Sequence, residues 1–541
     1  MRRFALPSAA PRPVASATSP PSCRPASAML FACFLAACAP TAVPKPGTDP
    51  EPPEDTAVDT TDSGITDSGI TDSGIVACAA MLDDVAYETI QGAIDAAPAD
   101  AVVIVCAGTW AGPFTIERSV SLVAAHEAEV VLDGAGAGAT VRILAGDVSL
   151  IGLTIRGGTG TWRASPDGEA DSEAFHGGGV DAIEADTLTL DGCTVEDNAA
   201  DHGAGIYGPH GGVMVVYGTS FTRNIATGSG GGLMQAGGSL TVDRSTFSGN
   251  AAGSGGGLYV GGAAAVQVAE STFDANDAES SGGGLYAESV EDFEMTGVSI
   301  SRNFAAYGGG LYVDAVAHVL GTATVVSGNT ATWGGGACVF GSRIEGGTFG
   351  TNTATHGGGV ALGGEGAQVR SARIAENTAE YGGGAVFYGT DGRIVGSTLE
   401  YNAAAALGGG VYVVDAVGQS EIIESVILGN WAPGGGGLLS SGRVVVAGGL
   451  VDDNGADDGA GLYVLDGALR LESATVTRNN ASSRGGGALV LGGSLVSADS
   501  DWGADAEDNQ GDDICLHAGE TYREYTSHET FSCIDGTGVC E

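Results

Sequence analysis

The chain has 541 residues, with 66 acidic and 21 basic side chains and a formal charge of −45 at pH 7. A surface this acidic repels phosphate backbones, which excludes nucleic acid as a partner. The 93 glycines would suit collagen or a disordered chain, but no Gly-X-Y period is present and a hydrophobic fraction of 43% predicts a folded core.

The N-terminus has the features of an export signal. Residues 1–28 carry four arginines and no acid, and a short apolar run follows over residues 29–37. A basic region before such a run is typical of a secretory signal, and the run is too short to span a bilayer. Leu35-Ala36-Ala37-Cys38 resembles the lipobox of bacterial lipoproteins. The resemblance implies a signal peptide over residues 1–37 and acylation of Cys38, which would anchor the protein to a membrane.

Ala39 follows the lipobox cysteine, and in lipoproteins a residue other than aspartate at this position implies delivery to the outer membrane. We therefore expect a lipid-anchored protein of the bacterial outer membrane, exposed at the surface. The alternative is an ordinary signal peptide with a chance cysteine, which would make the protein secreted.

Residues 38–77 form a predicted acidic tether. Twelve of the 17 prolines lie at or before position 53, and Thr-Asp-Ser-Gly-Ile then occurs three times over residues 61–75. This composition has neither helical nor strand periodicity, which predicts an extended, solvated and disordered linker. Weak calcium binding by its aspartates is the alternative.

An internal repeat dominates the remaining chain and decides the fold class. Its clearest marker is a series of twelve asparagines spaced by about 25 residues on average: Asn198, Asn224, Asn250, Asn276, Asn303, Asn329, Asn352, Asn377, Asn402, Asn430, Asn454 and Asn479.

Each repeat places the same residue types around its asparagine. An apolar residue such as Phe247 lies three positions before Asn250, an alanine such as Ala252 lies two positions after it, and a glycine triplet such as 255–257 follows. About 25 residues make one coil of a β-solenoid, and stacking at about 4.8 Å explains why each column repeats one residue type. We expect the apolar column to fill the interior. We expect the asparagines to take left-handed turn conformations and to donate hydrogen bonds to one another along the column.

Phe-x-x-Asn followed by Gly-Gly-[Ala/Leu/Val/Ile] resembles the repeat of chlamydial polymorphic outer-membrane proteins and related right-handed parallel β-helices. The match covers residues 176–490. The resemblance implies an all-β, pectate-lyase-like right-handed parallel β-helix, which we place over residues 78–500 with about 15 coils. Adhesion is the function that the chlamydial family implies, whereas its self-export is not expected here.

A helix is predicted ahead of the coils. Thr89–Pro98 resembles the opening of pectin-esterase-like β-helices, and Ala86, Ile90, Ala93, Ile94 and Ala97 share one helical face. Such a helix would cover the unpaired end of the solenoid.

Residues 501–541 depart from the repeat and form a predicted C-terminal cap. Export favours disulfides, and the candidate cysteines are Cys78, Cys106, Cys515, Cys533 and Cys540. Cys78 with Cys106 would staple the N-terminal cap and two of the last three would staple the tail, while Cys193 or Cys338 would stay free within the stack.

One column is a candidate ligand-binding stripe. The residues just before the glycine triplets of four consecutive coils are Tyr307, Trp333, His356 and Tyr381. If these side chains face solvent they could stack on sugar rings, and if they face inward, the commoner case, they are core. His176 and His202 share the column, where we interpret them as polar fillers.

Two further segments are candidate functional sites. Gly157–Phe175 interrupts the coils with Trp162, Arg163 and several acids, and is either a functional projection or a disordered loop. In the tail, the acids Glu507, Asp508, Asp512 and Asp513 could chelate calcium, but they lack the EF-hand and Gly-Gly-x-Gly-x-Asp patterns. We predict no other metal and no cofactor.

The sequence argues against catalysis. The Gln-Asp-Thr-Leu and Asp-Phe-Ile-Phe-Gly blocks of pectin esterases are absent, and Lys45 is the only lysine. Arg223, Arg244, Arg302 and Arg478 recur beside the turn asparagines, where ion pairs or a solvated rim explain them. No catalytic residue is predicted.

We therefore expect a surface-anchored adhesin or scaffold that binds glycans, the envelope or a cell-surface protein. The alternatives are a lyase or esterase of acidic polysaccharides and a purely structural envelope protein.

Overall fold

The computed structural model describes residues 78–126, 128–163, 174–389, 391–414, 418–503, 508–510, 514–516 and 521–524. They form a right-handed β-solenoid of about 15 turns with three parallel sheets, which confirms the predicted fold class. A typical coil crosses sheet 1 twice, at Asp292–Thr296 and Ser299–Ser301, then sheet 2 at Phe304–Tyr307 and sheet 3 at Leu311–Asp314.

Sheet 1 is the largest, with 32 strands. They are Ala80–Leu82, Val85–Tyr87, Ala101–Val105, Gly108–Ala111, Val120–Ala124, Val130–Asp133, Asp147–Ile151, Thr154–Arg156, Thr187–Asp191, Thr194–Glu196, Val213–Tyr217, Ser220–Thr222, Ser239–Asp243, Thr246–Ser248, Ala265–Ala269, Thr272–Asp274, Asp292–Thr296, Ser299–Ser301, Val319–Ser327, Arg343–Gly350, Gln368–Arg370, Arg373–Ala375, Arg393–Val395, Thr398–Glu400, Gln419–Ile423, Val426–Leu428, Arg443–Ala447, Leu450–Asp452, Ala468–Glu472, Thr475–Thr477, Ser494–Ala498 and Thr521–Glu524.

Sheets 2 and 3 flank the corner at which the glycine triplets lie. Sheet 2 has 14 strands: Thr161–Arg163, Ala174–His176, Ala199–His202, Ile225–Ser229, Ala251–Ser254, Asp277–Ser281, Phe304–Tyr307, Thr330–Trp333, Thr353–His356, Thr378–Tyr381, Ala403–Leu407, Trp431–Gly434, Gly455–Asp458 and Asn480–Arg484. Sheet 3 has 16 strands: Phe114–Ile116, Val141–Ile143, Val180–Asp181, Ile206–Tyr207, Leu233–Ala236, Leu258–Gly261, Leu285–Glu288, Leu311–Asp314, Ala337–Phe340, Val360–Gly363, Ala385–Tyr388, Val411–Val414, Leu438–Ser440, Leu462–Val464, Ala488–Val490 and Ile514–Leu516.

Like residues stack over one another inside the coils. Phe247 pairs in register with Phe221 and Phe273, and the three buried rings are parallel, with centroids 4.5 and 4.6 Å apart. Each ring covers the face of the next and removes it from water, which stabilises this part of the core.

The asparagine column forms a continuous amide ladder. Asn303 is typical: its Nδ2 donates to Oδ1 of Asn329 at 3.0 Å and to the Phe273 carbonyl at 3.0 Å, while its Oδ1 accepts from Nδ2 of Asn276. The ladder extends to a thirteenth member, Asn509, which accepts from Nδ2 of Asn479 at 2.9 Å and which the repeat spacing missed. Every buried amide in it therefore has partners.

The conformational role assigned to the asparagines is wrong. The left-handed residue is the one before each asparagine, for example Arg302 at φ 55° and Glu376 at φ 57°. The buried asparagine side chain instead donates to the backbone of the preceding coil, for example from Asn303 to the Phe273 carbonyl, and so ties the turn to that coil.

The arginines beside the turns pair with acids of neighbouring coils. Arg223 contacts Asp197 at 2.7 Å and Arg244 contacts Glu270 at 2.9 Å, while Arg302 and Arg478 pair with Asp274 and Asp452. These are largely exposed pairs, so each adds little to the free energy of unfolding.

The glycine triplets make the corner between sheets 2 and 3. Gly308 has φ 62°, and a Cβ on Gly309 would lie 2.5 Å from the Thr330 carbonyl oxygen of the next coil. Side chains are therefore excluded at this corner, and the outward residues on either side of it face each other.

The predicted helix covers the N-terminal end. It spans Ile90–Ala96, is capped by the Thr89 hydroxyl, which accepts from the Gly92 amide at 3.0 Å, and buries Ile90, Ala93 and Ile94. Ala86 was wrongly placed on this helix: it is exposed in the strand Val85–Tyr87, which pairs antiparallel with Ala80–Leu82.

Candidate functional site

An apolar groove lies at the corner between sheets 2 and 3. We call it the aromatic groove; it has a volume of about 310 Å³ and its walls are Tyr307, Tyr312, Trp333, Phe340 and Tyr388. Its floor is formed by Cys338, Ala361 and Gly363.

A gap in a ladder of tyrosines creates this groove. Tyr259, Tyr286 and Tyr312 pair in register along sheet 3 and their rings stack at 4.8 and 4.9 Å. The next two residues of this column are Cys338 and Ala361, which are too small to continue the stack. The space that the missing rings would fill is open to solvent.

The predicted stripe lies on the outside of the solenoid, so the inward alternative is wrong. Tyr307 is 44% exposed, and Trp333, His356 and Tyr381 are half-buried, whereas Ala305 on the same strand as Tyr307 is fully buried. The glycine corner that follows each of these residues turns the end of the strand away from the core.

The stripe is a stack only in part. The rings of Trp333 and His356 are parallel at 4.0 Å, and His356 stacks on Tyr381 at 5.2 Å. Trp333 also approaches Tyr388 of sheet 3 at 4.8 Å, which joins the two walls of the groove. Tyr307 and Trp333 line the groove, while His356 supports Trp333 from behind.

Carboxylates lie on the N-terminal side of the groove. Glu288 accepts hydrogen bonds from the hydroxyls of Tyr259 and Tyr286, and Asp314 pairs in register with Phe340. Burial, and then the nearby Glu288, raise the pKa of Asp314. On the floor, burial raises the pKa of the Cys338 thiol to about 12, so this cysteine is a neutral, apolar surface at physiological pH.

A polar cluster that the sequence did not reveal lies nearer the N-terminus, between the same two sheets. Arg163 bridges the fully buried Asp181 at 2.9 Å and Glu184 at 2.7 Å, and the His176 ring meets Tyr207 edge-on at 4.8 Å. Burial, followed by the charge of His202 stacked on it at 5.4 Å, lowers the pKa of His176 to about 4. The imidazole is therefore neutral at physiological pH.

The interruption at Gly157–Phe175 accounts for this cluster. Thr161–Arg163 and Ala174–His176 form an antiparallel hairpin that starts sheet 2, with Trp162 opposite Phe175. It carries Arg163 and His176 to the corner. The sequence indicated this cluster only through His176 and His202, which share a column and which we interpreted as polar fillers. Residues 164–173 lie outside the described part of the chain.

The described cysteines divide into one disulfide and three buried thiols. Cys78 is joined to Cys106, and Cys193, Cys338 and Cys515 are free. The free Cys515 leaves only Cys533 and Cys540 for a tail disulfide, and both lie outside the described residues, as does Cys38.

Within the described ranges, no three His, Cys, Asp or Glu side chains converge in a way that could hold a metal ion. Of the four tail acids considered for calcium, only Asp508 is described. The same ranges contain no helix of the length and apolarity that a bilayer crossing requires.

Residues 145–319 match the family described as "Right handed beta helix region", and no curated protein matches the sequence. Two solved structures are similar to the chain, both at low identity. PfbA, a surface adhesin of Streptococcus pneumoniae, is 11% identical over 80% of this chain and 87% of that chain, with a TM-score of 0.26. A double mutant of the periplasmic alginate epimerase AlgG is 9% identical over 79% and 84%, with a TM-score of 0.24. By its stacked coils and by this family match over residues 145–319, the described chain is a right-handed β-helix.

Proposed function

We propose that the protein is a non-catalytic, surface-anchored β-helix lipoprotein that binds uncharged glycan chains in the aromatic groove. The observation that carries this proposal is the outward position of Trp333, Tyr307 and Tyr388 around a floor of small residues. Flat ring faces with adjacent hydroxyl groups suit pyranose rings, which present apolar C–H faces and polar edges.

The charge around the groove favours an uncharged ligand. Glu288 and Asp314 lie along its N-terminal side, and no arginine lines it among the described residues. An anionic ligand would be repelled here, whereas sugar hydroxyls can donate to the carboxylates. The proposed anchor at Cys38 and the tether over residues 38–77 would hold the groove away from the membrane.

Binding to a glycan array tests the proposal. Trp333→Ala removes one wall of the groove and should abolish binding of neutral oligosaccharides. Trp431→Ala is the matched control, because Trp431 is 50% exposed on the same sheet but does not line the groove. Equal binding by the two variants, or no binding by the unaltered protein, contradicts the proposal.

Anchoring is tested separately by metabolic labelling with palmitate in a bacterial host. The unaltered protein should carry the label and fractionate with the outer membrane, and Cys38→Ser should lose both. Labelling of the Cys38→Ser variant would contradict the lipid anchor.

A second candidate is a lyase or esterase acting on acidic polysaccharide, and the cluster around His176 favours it. The neutral imidazole of His176 lies beside the Tyr207 ring, and its buried Nδ1 atom has no hydrogen-bond partner among the described residues, so this nitrogen can accept the proton removed in an elimination. Incubation with polyuronates would reveal unsaturated uronate from elimination or methanol from ester hydrolysis. Either product, lost in His176→Ala and kept in His210→Ala, would replace the non-catalytic proposal.

A further inference from the structure

A second cavity lies nearer the N-terminus, on sheet 3, and is separate from the aromatic groove. We call it the Arg142 pocket; it has a volume of about 500 Å³, in the range of small-molecule sites, and it is lined by Arg142, Trp162, Phe175, Pro113 and Thr115. The turn over residues 136–138, with two glycines, forms one rim and leaves the pocket open.

The strand Val141–Ile143 presents Arg142 on the outside of the solenoid. Val141 and Ile143 are fully buried in the core, so strand alternation directs Arg142 away from it. The Nε atom of Arg142 is nevertheless buried, and it has no hydrogen-bond partner among the described residues. A buried donor of this kind destabilises a protein unless an acceptor meets it.

Among the described residues, two acids of the neighbouring coils are paired with other arginines. Asp181 follows Arg142 in register on the next coil, but its carboxylate pairs with Arg163 at 2.9 Å. Asp133 pairs with Arg156 at 3.0 Å. Acidic residues outnumber basic ones by 66 to 21, so an arginine in a cavity without a carboxylate partner among the described residues is a specific feature of this site.

Two exposed aromatic rings accompany this arginine. Trp162 is 54% exposed and Phe175 is 45% exposed, and they are opposite each other on the hairpin that borders the pocket. Large apolar side chains exposed at the rim of a concave site commonly contact a ligand. The pocket therefore combines one cation with flat apolar faces.

We propose that the Arg142 pocket binds the carboxylate of a uronate sugar, with the pyranose ring against Trp162 or Phe175. The planar guanidinium matches a carboxylate in a bidentate geometry, and one arginine balances one negative charge. A phosphate group carries more charge and would need a second cation, which the lining residues do not supply. The site would make the protein selective for acidic chains at a place distinct from the aromatic groove.

Isothermal titration calorimetry with the purified full-length protein tests this site, with sodium glucuronate as the probe and glucose and inorganic phosphate as comparisons at equal ionic strength. The unaltered protein should bind glucuronate at least tenfold more tightly than glucose or phosphate. Arg142→Gln should weaken glucuronate binding at least tenfold. Arg443→Gln, which changes an exposed arginine outside the pocket, should not.

Thermal unfolding of Arg142→Gln separates loss of the site from loss of the fold, since removing an unpaired charge should leave the melting temperature unchanged or raise it. Neutral-glycan binding in the aromatic groove should also persist in this variant, so failure of either site is distinguishable from failure of the other. Unchanged glucuronate binding by Arg142→Gln, tighter binding of phosphate, or no glucuronate binding by the unaltered protein would each overturn the proposal.

Discussion

Trp333 and Tyr388 belong to coils two turns apart, yet their rings approach to 4.8 Å at an angle of 57°. Successive coils are separated by about 4.8 Å, so the two backbones are about 10 Å apart and the rings lean towards each other. They meet over the intervening coil because the sheet 3 strand of that coil carries only small residues at this place, Ala361 and Gly363, the latter in register with Tyr388. The small residues Cys338, Ala361 and Gly363 thus make the groove and let its two walls touch.

Filling this gap should close the groove. Ala361→Phe places a ring in the gap of the tyrosine ladder, so we expect neutral-glycan binding to fall at least tenfold while the protein stays folded, because the added ring packs between Cys338 and Val386, its neighbours along the column. Glycan binding and thermal unfolding measure the two effects. Leu439→Phe, further along the same column, is the control and should not alter binding.

Breaking the amide ladder should destabilise the coils. Asn303→Ala removes the donors to Phe273 and Asn329 and leaves the Asn276 amide without its acceptor. Because these groups are buried, we expect a loss of about 2–4 kcal/mol in the free energy of unfolding, measured by urea denaturation. Asn480, an exposed asparagine that follows the ladder member Asn479, is the control, and Asn480→Ala should change the free energy of unfolding by less than about 0.5 kcal/mol. Equal effects would show that the ladder contributes nothing.

The phenylalanine stack should be similarly sensitive. Phe247→Ala leaves a cavity between two buried rings and should cost about 3–5 kcal/mol. Phe247→Ile should cost less, because Ile300 occupies the same column on a nearby coil. Phe304→Ala, which truncates a ring that is 51% exposed, should be close to neutral in the same denaturation experiment. A neutral Phe247→Ala would argue against a packed interior.

Acid should destabilise the polar cluster. The pKa of His176 is lowered to about 4, chiefly by burial, so between the ordinary value of 6.5 and pH 4 the unfolded chain binds a proton that the folded chain does not. Stability that is present above pH 6.5 is therefore lost as the pH falls towards 4. Thermal unfolding between pH 7 and 4 should show a smaller decrease for His176→Gln. His210→Gln, at an exposed histidine, should keep the full decrease, and identical slopes in both variants would contradict the assignment.

The repeat made most of the fold predictable. Phe247 and Asn250 lie at fixed positions within a repeat of nearly constant length. Stacked coils place each of them against the equivalent residue of the next coil. The helix from Ile90 to Ala96 was predictable from its apolar face, whereas the hairpin before it was not, because two three-residue strands carry no periodic signal.

The sites were harder to predict because they depend on registers between sheets. The sequence placed Tyr307 and Trp333 in one column but did not predict that they face outward. Their outward position follows from the bend at the glycine corner, where sheets 2 and 3 meet. Arg142 lies ahead of the recognisable repeat. It has no carboxylate partner among the described residues because Arg163 reaches Asp181 from the hairpin.

The sequence alone determined that the chain winds into stacked coils. A period of about 25 residues that repeats one residue type at each position is stable when equivalent residues of successive coils pack on one another. The tertiary structure decided where cavities interrupt the regular surface of the stacked coils. Whether a column forms a ladder or a groove depends on the side chains that the corner brings together from two sheets, and on the one or two coils at which a small residue interrupts the stack.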